Sequence, residues 1–142
     1  IRDVAENFRR IGLNVVLNGM EQHWPHIESR KHAVFRVGWI ADYPDSDNFM
    51  YNLFHRSTGD PLFTGFNDDE VDRLTEKARL TMDPRERVAF YERVERIIAD
   101  QVPLIPLYHK REAIIKSPRI GRLSLKGFAP FMDVEDIWFH RL

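Results

Sequence analysis

The sequence predicts an α/β domain, because patterns typical of helices and of strands alternate along its 142 residues. Helix start signals occur at Asn67 and at Asp83. Runs at 33–39 and 102–108 are rich in β-branched and aromatic residues, as strands are. No internal repeat, low-complexity tract or linker divides the chain, so we expect residues 1–142 to belong to one domain.

The first half of the chain is predicted to alternate helices with strands. Gly12 follows a helical repeat of apolar residues, where a left-handed cap would end the helix. Pro25 is tolerated in the first turn of a brief helix, and Asp45 or Ser46 can cap a third one. The predicted elements are a helix at 4–11, a strand at 13–17, a helix at 24–31, a strand at 33–39 and a helix at about 46–54.

The second half begins with two helices and then becomes extended. Asn67 is predicted to cap the first of these helices, with Glu70 three residues later. Asp83 precedes Pro84 at the first helical position, and Glu86 is placed to close a capping box. Two prolines prevent residues 102–108 from being helical and favour the edge of a sheet. The elements that follow are a short strand at 113–115 and an irregular tail from residue 117.

Composition and charge exclude several kinds of protein. The net charge is −1, from 21 basic and 22 acidic residues, so no general positive field attracts nucleic acid or an anionic membrane. The absence of cysteine excludes disulfides, thiol nucleophiles and thiolate metal sites. No apolar stretch reaches the length of about 18 residues that crosses a bilayer. Ile1 stands in what reads as the inside of a helix, without a signal segment, so we expect a fragment of a larger protein.

Metal and cofactor sites are not predicted. His23, His26 and His32 are the closest histidines, but their spacing matches no pair on one helix face and no carboxylate completes a site. The acidic residues of segment 42–47 have a spacing that superficially resembles a calcium loop. The glycine and the glutamate that such a loop needs are both missing from that register.

Catalysis and nucleic-acid binding also lack a motif. The sequence contains no nucleophile elbow, phosphate loop or zinc-protease helix, so we expect no enzyme and no catalytic residue. The carboxylates at 68–70 fit a first helical turn, where they stabilise the helix dipole. The basic pairs at 110–111 and at Arg85 and Arg87 are predicted to be solvated faces, without aromatic residues between them.

The most informative segment is 36–49, which runs from a predicted strand into a turn dense with carboxylates. Trp39 and Asp42 stand three residues apart at the end of that strand. An aromatic wall and a fixed negative charge are two features of a pocket for a small cationic or zwitterionic ligand. The residues alone leave a second interpretation open, in which Trp39 is a core aromatic and Asp42 a turn or cap residue.

Seven short segments resemble the carboxy-terminal part of the solute-binding proteins of peptide and nickel ABC transporters, which are extracellular solute-binding proteins of family 5. They follow the family order over nearly the whole chain. These segments are IGLNV at 11–15, VGWIADYPD at 37–45, DNF at 47–49, NDDEVD at 67–72, AFY at 89–91, IIAD at 97–100 and VPLIPLY at 102–108. The resemblance implies a periplasmic-binding-protein-like (type II) lobe with a small mixed sheet flanked by helices. Residues 1–142 would be a partial, incomplete carboxy-terminal lobe of a two-lobed protein.

The resemblance also implies the ligand-binding residues. In peptide-binding members the aspartate of this motif, here Asp42, pairs with the α-ammonium group of the ligand, and the tryptophan, here Trp39, lines the pocket. The backbone from Gly38 to Ile40 would pair with an extended ligand as an added strand does. Arg36 occupies the position at which some members meet a peptide carboxylate.

The function implied by the resemblance is that of an extracytoplasmic receptor. It would capture oligopeptides or a related small solute and deliver them to an ABC permease, in the periplasm or at the outer surface of the membrane. Its partners would be the solute, the permease subunits and the amino-terminal lobe of the same protein, with no nucleic acid and no cofactor. An alternative is a ligand-sensing domain of the same fold in a transcriptional regulator.

Overall fold

The computed structural model describes residues 1–19, 21, 23–31, 33–111, 113–125, 135 and 137–140. It divides into two compact units, at Ile1–Phe35 and at Arg36–Leu142. His32, one of the three histidines considered as metal ligands, lies outside the described residues.

The first unit contains helices α1 (Arg2–Arg10) and α2 (His23–Glu28). Gly12 follows α1 with a φ of +90°, and its N–H donates to the Arg9 carbonyl at 2.9 Å. The predicted left-handed cap is therefore confirmed, because glycine adopts this conformation without the steric cost that a Cβ imposes.

The second unit contains helices α3 (Asp47–Phe54), α4 (Asp69–Leu80) and α5 (Pro84–Gln101), with a short 3-10 turn at Arg56–Thr58. Helices α4 and α5 pack against each other, and α3 contacts both. The core of this unit consists of apolar side chains from the three helices and from the loop after α3. They are Leu53, Phe54, Leu62, Val71, Leu74, Ala78, Phe90, Tyr91, Val94 and Ile98.

Of the two caps predicted for α4 and α5, one is confirmed and the other is wrong. Asp83 accepts hydrogen bonds from the N–H groups of Arg85 and Glu86 at the start of α5, as predicted. At α4 the predicted cap Asn67 is wrong, because Asp68 accepts from the N–H groups of residues 70 and 71 instead. In both helices the aspartate satisfies donors that have no partner within the helix.

The predicted mixed sheet does not form in the part of the chain that the structure describes, and this corrects the fold expectation. The β contacts there are limited to single-residue bridges, one of which joins Ile120 and Phe139 in antiparallel fashion. The four segments predicted as strands, at 13–17, 33–39, 102–108 and 113–115, are neither helical nor paired. Alternating side chains can suit a strand, but a strand also requires a neighbour whose backbone bonds to its own.

The unpaired segments carry exposed apolar side chains. Ile115 is 99% exposed and Val16 is 75% exposed. None of the helices in the described ranges has the length and apolar character needed to cross a bilayer.

Candidate ligand-binding site

The site predicted from the sequence lies in the second unit, on the non-helical run that leads into α3. Residues 42–46 form a turn, and α3 begins at Asp47. The Asp45 carboxylate accepts a hydrogen bond from the Asp47 N–H at 2.8 Å, whereas Ser46 makes no capping bond with its side chain. Of the two predicted caps, Ser46 therefore stands at the cap position, whereas the side-chain bond that fixes the turn onto the helix comes from Asp45.

Asp42 is the carboxylate of this turn that remains free. Its side chain is exposed, and it makes no hydrogen bond or ion pair with any residue that the structure describes. The two acidic residues that follow it, Asp45 and Asp47, both have protein partners. Asp42 is therefore the acidic group of the turn that can accept a new donor without giving up an existing one.

Trp39 is tied to α3 by a hydrogen bond from its indole. The Nε1–H donates to Oδ1 of Asn48 at 2.8 Å, and Trp39 as a residue is 37% exposed. The interpretation as a core aromatic is therefore wrong, because more than a third of the residue is open to solvent. Asn48 itself is completely buried, and its Nδ2 has no hydrogen-bond partner in the described residues. A buried donor in that state costs about 1–3 kcal/mol.

The backbone next to Trp39 is open. No atom lies within 4 Å of the position that a Cβ on Gly38 would occupy, and Ile40 is exposed. The N–H and C=O groups of residues 38–40 make no bond to another backbone group in the described ranges. This stretch therefore has backbone donors and acceptors available for a ligand.

Arg36 lies outside any charged pair in the described residues. Its Nη2 donates to the hydroxyl of Tyr108 at 2.6 Å, and its guanidinium lies 5.7 Å from the centre of the tyrosine ring. The contact joins the two non-helical segments 33–39 and 102–108. Because the partner is a neutral hydroxyl, no described residue compensates the positive charge of Arg36.

Asp45 is held by an arginine from α5. Arg87 donates from Nη1 to Oδ2 at 2.6 Å and from Nη2 to Oδ1 at 2.8 Å. The hydrogen bonds from Arg87 lower the pKa of Asp45 below its ordinary value of 3.8. The expectation that Arg87 belongs to a solvated face is therefore wrong, since it fastens the turn to α5.

Asp47 is the buried anchor of the same turn. It accepts hydrogen bonds from the hydroxyls of Tyr43 at 2.7 Å and of Tyr91 at 3.1 Å, and Nε of Arg79 lies 3.4 Å away. Burial, followed by the charge of Asp47, raises the pKa of Tyr91 to about 12. In the described chain no group of three or more potential metal ligands is found.

A separate polar cluster surrounds His55, which sequence reasoning did not single out. Nδ1 of the buried ring accepts from the Ser57 N–H at 3.1 Å, and Nε2 lies 3.2 Å from the Glu76 carboxylate. Serine, histidine and a carboxylate are the residue types of a hydrolytic triad. Nδ1 also lies 2.7 Å from the Ser57 hydroxyl oxygen, and the bond from the Ser57 N–H makes His55 the cap of the 3-10 turn.

The predicted site residues lie on one non-helical run before α3. Trp39, Asp42 and the open backbone of residues 38–40 share this run, and Arg36 stands at its start and contacts Tyr108. Sequence reasoning missed Asn48 as the partner of Trp39. It also missed Arg79, Arg87 and Tyr91 as anchors of the turn, because no short motif links residues so far apart in the chain.

Comparison with known proteins gives relatives among bacterial binding proteins. The chain is 23% identical over 121 residues to the oligopeptide-binding protein OppA of Bacillus subtilis, covering 84% of this chain and 22% of that protein. It is 31% identical over 116 residues to di/tripeptide-binding protein 2 of Pseudomonas aeruginosa, covering 75% of this chain and 21% of that protein. It is 29% identical over 132 residues to the probable deoxycholate-binding periplasmic protein YgiS of Escherichia coli, covering 90% of this chain and 24% of that protein.

The chain thus spans between a fifth and a quarter of the length of these relatives. No protein-family model matches the chain. No solved structure matches it either.

Proposed function

Because this chain is a relative of the family 5 extracellular solute-binding proteins, we propose that it forms part of an extracytoplasmic receptor for oligopeptides or a related small solute. The receptor would deliver its ligand to an ABC permease. The observation that carries the proposal is that a free Asp42 carboxylate and a partly exposed Trp39 lie on the same run before α3. Two of the relatives described above are named for peptides and one for deoxycholate, so the peptide class has the wider support.

Asp42 is the proposed anchor for the α-ammonium group of the ligand. An ammonium offers three donors to a carboxylate, and Asp42 has no described partner to lose. A charged hydrogen bond contributes about 1.5–3 kcal/mol when water is kept out. An exposed pair contributes only about 0–1 kcal/mol. Tight binding therefore requires a second surface over Asp42, which we assign to an amino-terminal lobe of the same protein.

Trp39 and the backbone from Gly38 to Ile40 are the proposed wall and open edge of the site. The exposed part of the indole offers an aromatic face to the ligand, and such faces attract cations. The unpaired N–H and C=O groups can bond to an extended peptide as a neighbouring strand would. Recognition through the backbone favours peptides in general over one side-chain sequence.

Arg36 is the proposed partner for a carboxylate of the ligand. Tyr108 takes one of its donors, and a guanidinium has five in a planar fork. The remaining donors match the geometry of a carboxylate. A ligand that reaches both residues would need a carboxylate for Arg36 and an ammonium group for Asp42, and a short peptide carries both.

The transcriptional-regulator alternative gains no support. None of the relatives described above is named as a regulator, and each is named as a binding protein. We therefore propose a binding protein without catalysis, which acts outside the cytoplasm in association with the membrane.

Calorimetry of the full-length protein that carries this sequence tests the proposal. Peptide pools are titrated into the wild type and into Asp42→Ala, with Asp100→Ala as the control because Asp100 is also exposed in the same unit. We expect Asp42→Ala to lose about tenfold or more in affinity, which corresponds to about 1.4 kcal/mol. Equal affinity in wild type and Asp42→Ala would remove the ammonium anchor. Binding of bile acids without any binding of peptides would overturn the substrate class.

A further inference from the structure

We infer that Asn48 is a positioning residue that sets the orientation of Trp39 in the ligand site. The inference rests on the proposed function, because it assigns Asn48 a role through the proposed aromatic wall. Its starting point is the 2.8 Å hydrogen bond from Nε1 of Trp39 to Oδ1 of Asn48, between residues nine positions apart.

The bond sets the orientation of the Trp39 ring because an indole has a single N–H donor. With Nε1–H directed at Oδ1, rotation of the ring about its side-chain bonds would break the contact. The run that carries Trp39 is neither helical nor paired as a strand, and its backbone alone does not hold the ring. Asn48 therefore supplies the fixed point against which the indole is oriented.

Asn48 is suited to this task because its own place is rigid. It lies in the first turn of α3 and is 0% exposed. Its neighbour Asp47 is bonded to the hydroxyls of Tyr43 and Tyr91. The start of α3 is thus fixed to the turn on one side and to α5 on the other.

Stability alone does not account for an asparagine at this position. Because Oδ1 faces the indole, the Nδ2 end of the amide points elsewhere, and it is buried without a described partner. A leucine of similar size would remove that unsatisfied donor and would suit the buried surroundings better. What leucine cannot do is accept the Trp39 N–H, so the bond to Trp39 is the contribution that requires Asn48.

The first test compares peptide affinities by calorimetry in the full-length protein. Variants are Asn48→Leu, Trp39→Phe and the double variant. We expect Asn48→Leu to weaken binding by about three- to tenfold, the range of one lost hydrogen bond, without lowering the midpoint of urea unfolding. In the Trp39→Phe background the same change should have no effect, because phenylalanine has no N–H to orient.

A second test needs no ligand. In the full-length protein every tryptophan other than Trp39, Trp24 and Trp138 included, is replaced by phenylalanine, so that acrylamide quenching reports the exposure of Trp39. We expect Asn48→Leu to increase quenching, and Asn48→Asp, which keeps an acceptor oxygen, to leave it near the wild-type level.

The outcomes separate this inference from the proposed function. Unchanged quenching in Asn48→Leu would overturn the positioning role while peptide binding stands. The positioning role would also be overturned if Asn48→Leu weakened peptide binding equally in the wild-type and Trp39→Phe backgrounds. Failure of the parent protein to bind any peptide would overturn the proposed function and, with it, the ligand role of Trp39, whatever the quenching shows.

Discussion

Arg87 on α5 binds Asp45 through two parallel hydrogen bonds, of 2.6 and 2.8 Å, across 42 residues of sequence. The pair fastens the turn that carries Asp42 to the longest helix of the second unit. A planar guanidinium matches both oxygens of a carboxylate at once, which a lysine ammonium cannot do.

Arg87→Lys should therefore loosen the turn even though the charge is kept. We expect the free energy of unfolding to fall by about 1 kcal/mol, since the pair is partly exposed and water screens it. Urea unfolding measures the change, and Arg85→Lys on the exposed side of the same helix is the control. An equal effect of the two substitutions would mean that the paired geometry contributes nothing.

The Asp45 pair also predicts an acid dependence. Its folded pKa is lowered by Arg87, so the pair stabilises the protein above the unfolded pKa of about 3.9. That stabilisation is lost as the pH falls through the folded pKa. Asp45→Asn should therefore be less stable than the wild type near pH 7, and the difference should shrink below about pH 4. Urea unfolding from pH 7 to pH 2 measures it, and a constant difference would contradict the prediction.

Tyr91 predicts that stability falls as the pH rises, which is the opposite direction to the dependence predicted for Asp45. Its folded pKa of about 12 lies above the ordinary value of 10.0, so the folded state keeps the proton over that interval. Stability is full below pH 10 and is lost as the pH rises toward 12. Tyr91→Phe should reduce this alkaline loss, measured as the fall in melting temperature between about pH 9 and pH 12. If Tyr91→Phe loses as much stability over this pH interval as the wild type, Tyr91 is not the source of the alkaline loss.

Leu74 tests the core on which the site is built. Leu74 on α4 is completely buried, whereas Leu80 at the end of the same helix is 85% exposed. We expect Leu74→Ala to cost about 2–5 kcal/mol through lost burial and a cavity. Leu80→Ala should stay within about 0.5 kcal/mol of the wild type. Similar losses from both, measured by urea unfolding, would show that α4 does not pack as described.

Local patterns predicted the helices well because their start signals act over a few residues. Asp83 bonds only to Arg85 and Glu86, and Gly12 ends α1 within one turn. The error at α4 has a local cause as well. Asn67 and Asp68 are both good caps, and the extended backbone of Asp68, with φ of −146°, gives it the position.

The candidate site stays a prediction. Gly38, Trp39 and Asp42 can be proposed from one segment, because the residues of a ligand site can be neighbours in sequence. Asn48 was missed because its bond to Trp39 depends on how α3 turns back toward that segment. The sheet was predicted where none is found in the described chain, since alternation cannot show whether a neighbouring strand exists.

The sequence by itself determined the helices, the caps at Gly12 and Asp83 and the relationship to solute-binding proteins, all of which depend on residues close together in the chain. Tertiary structure decided which acidic residue of the turn stays free. Asp45 is taken by Arg87 and Asp47 by Tyr91, 42 and 44 residues away, which leaves Asp42 without a described partner. The physical reason is that a carboxylate's availability depends on which distant donors the packed helices bring within about 3 Å of it.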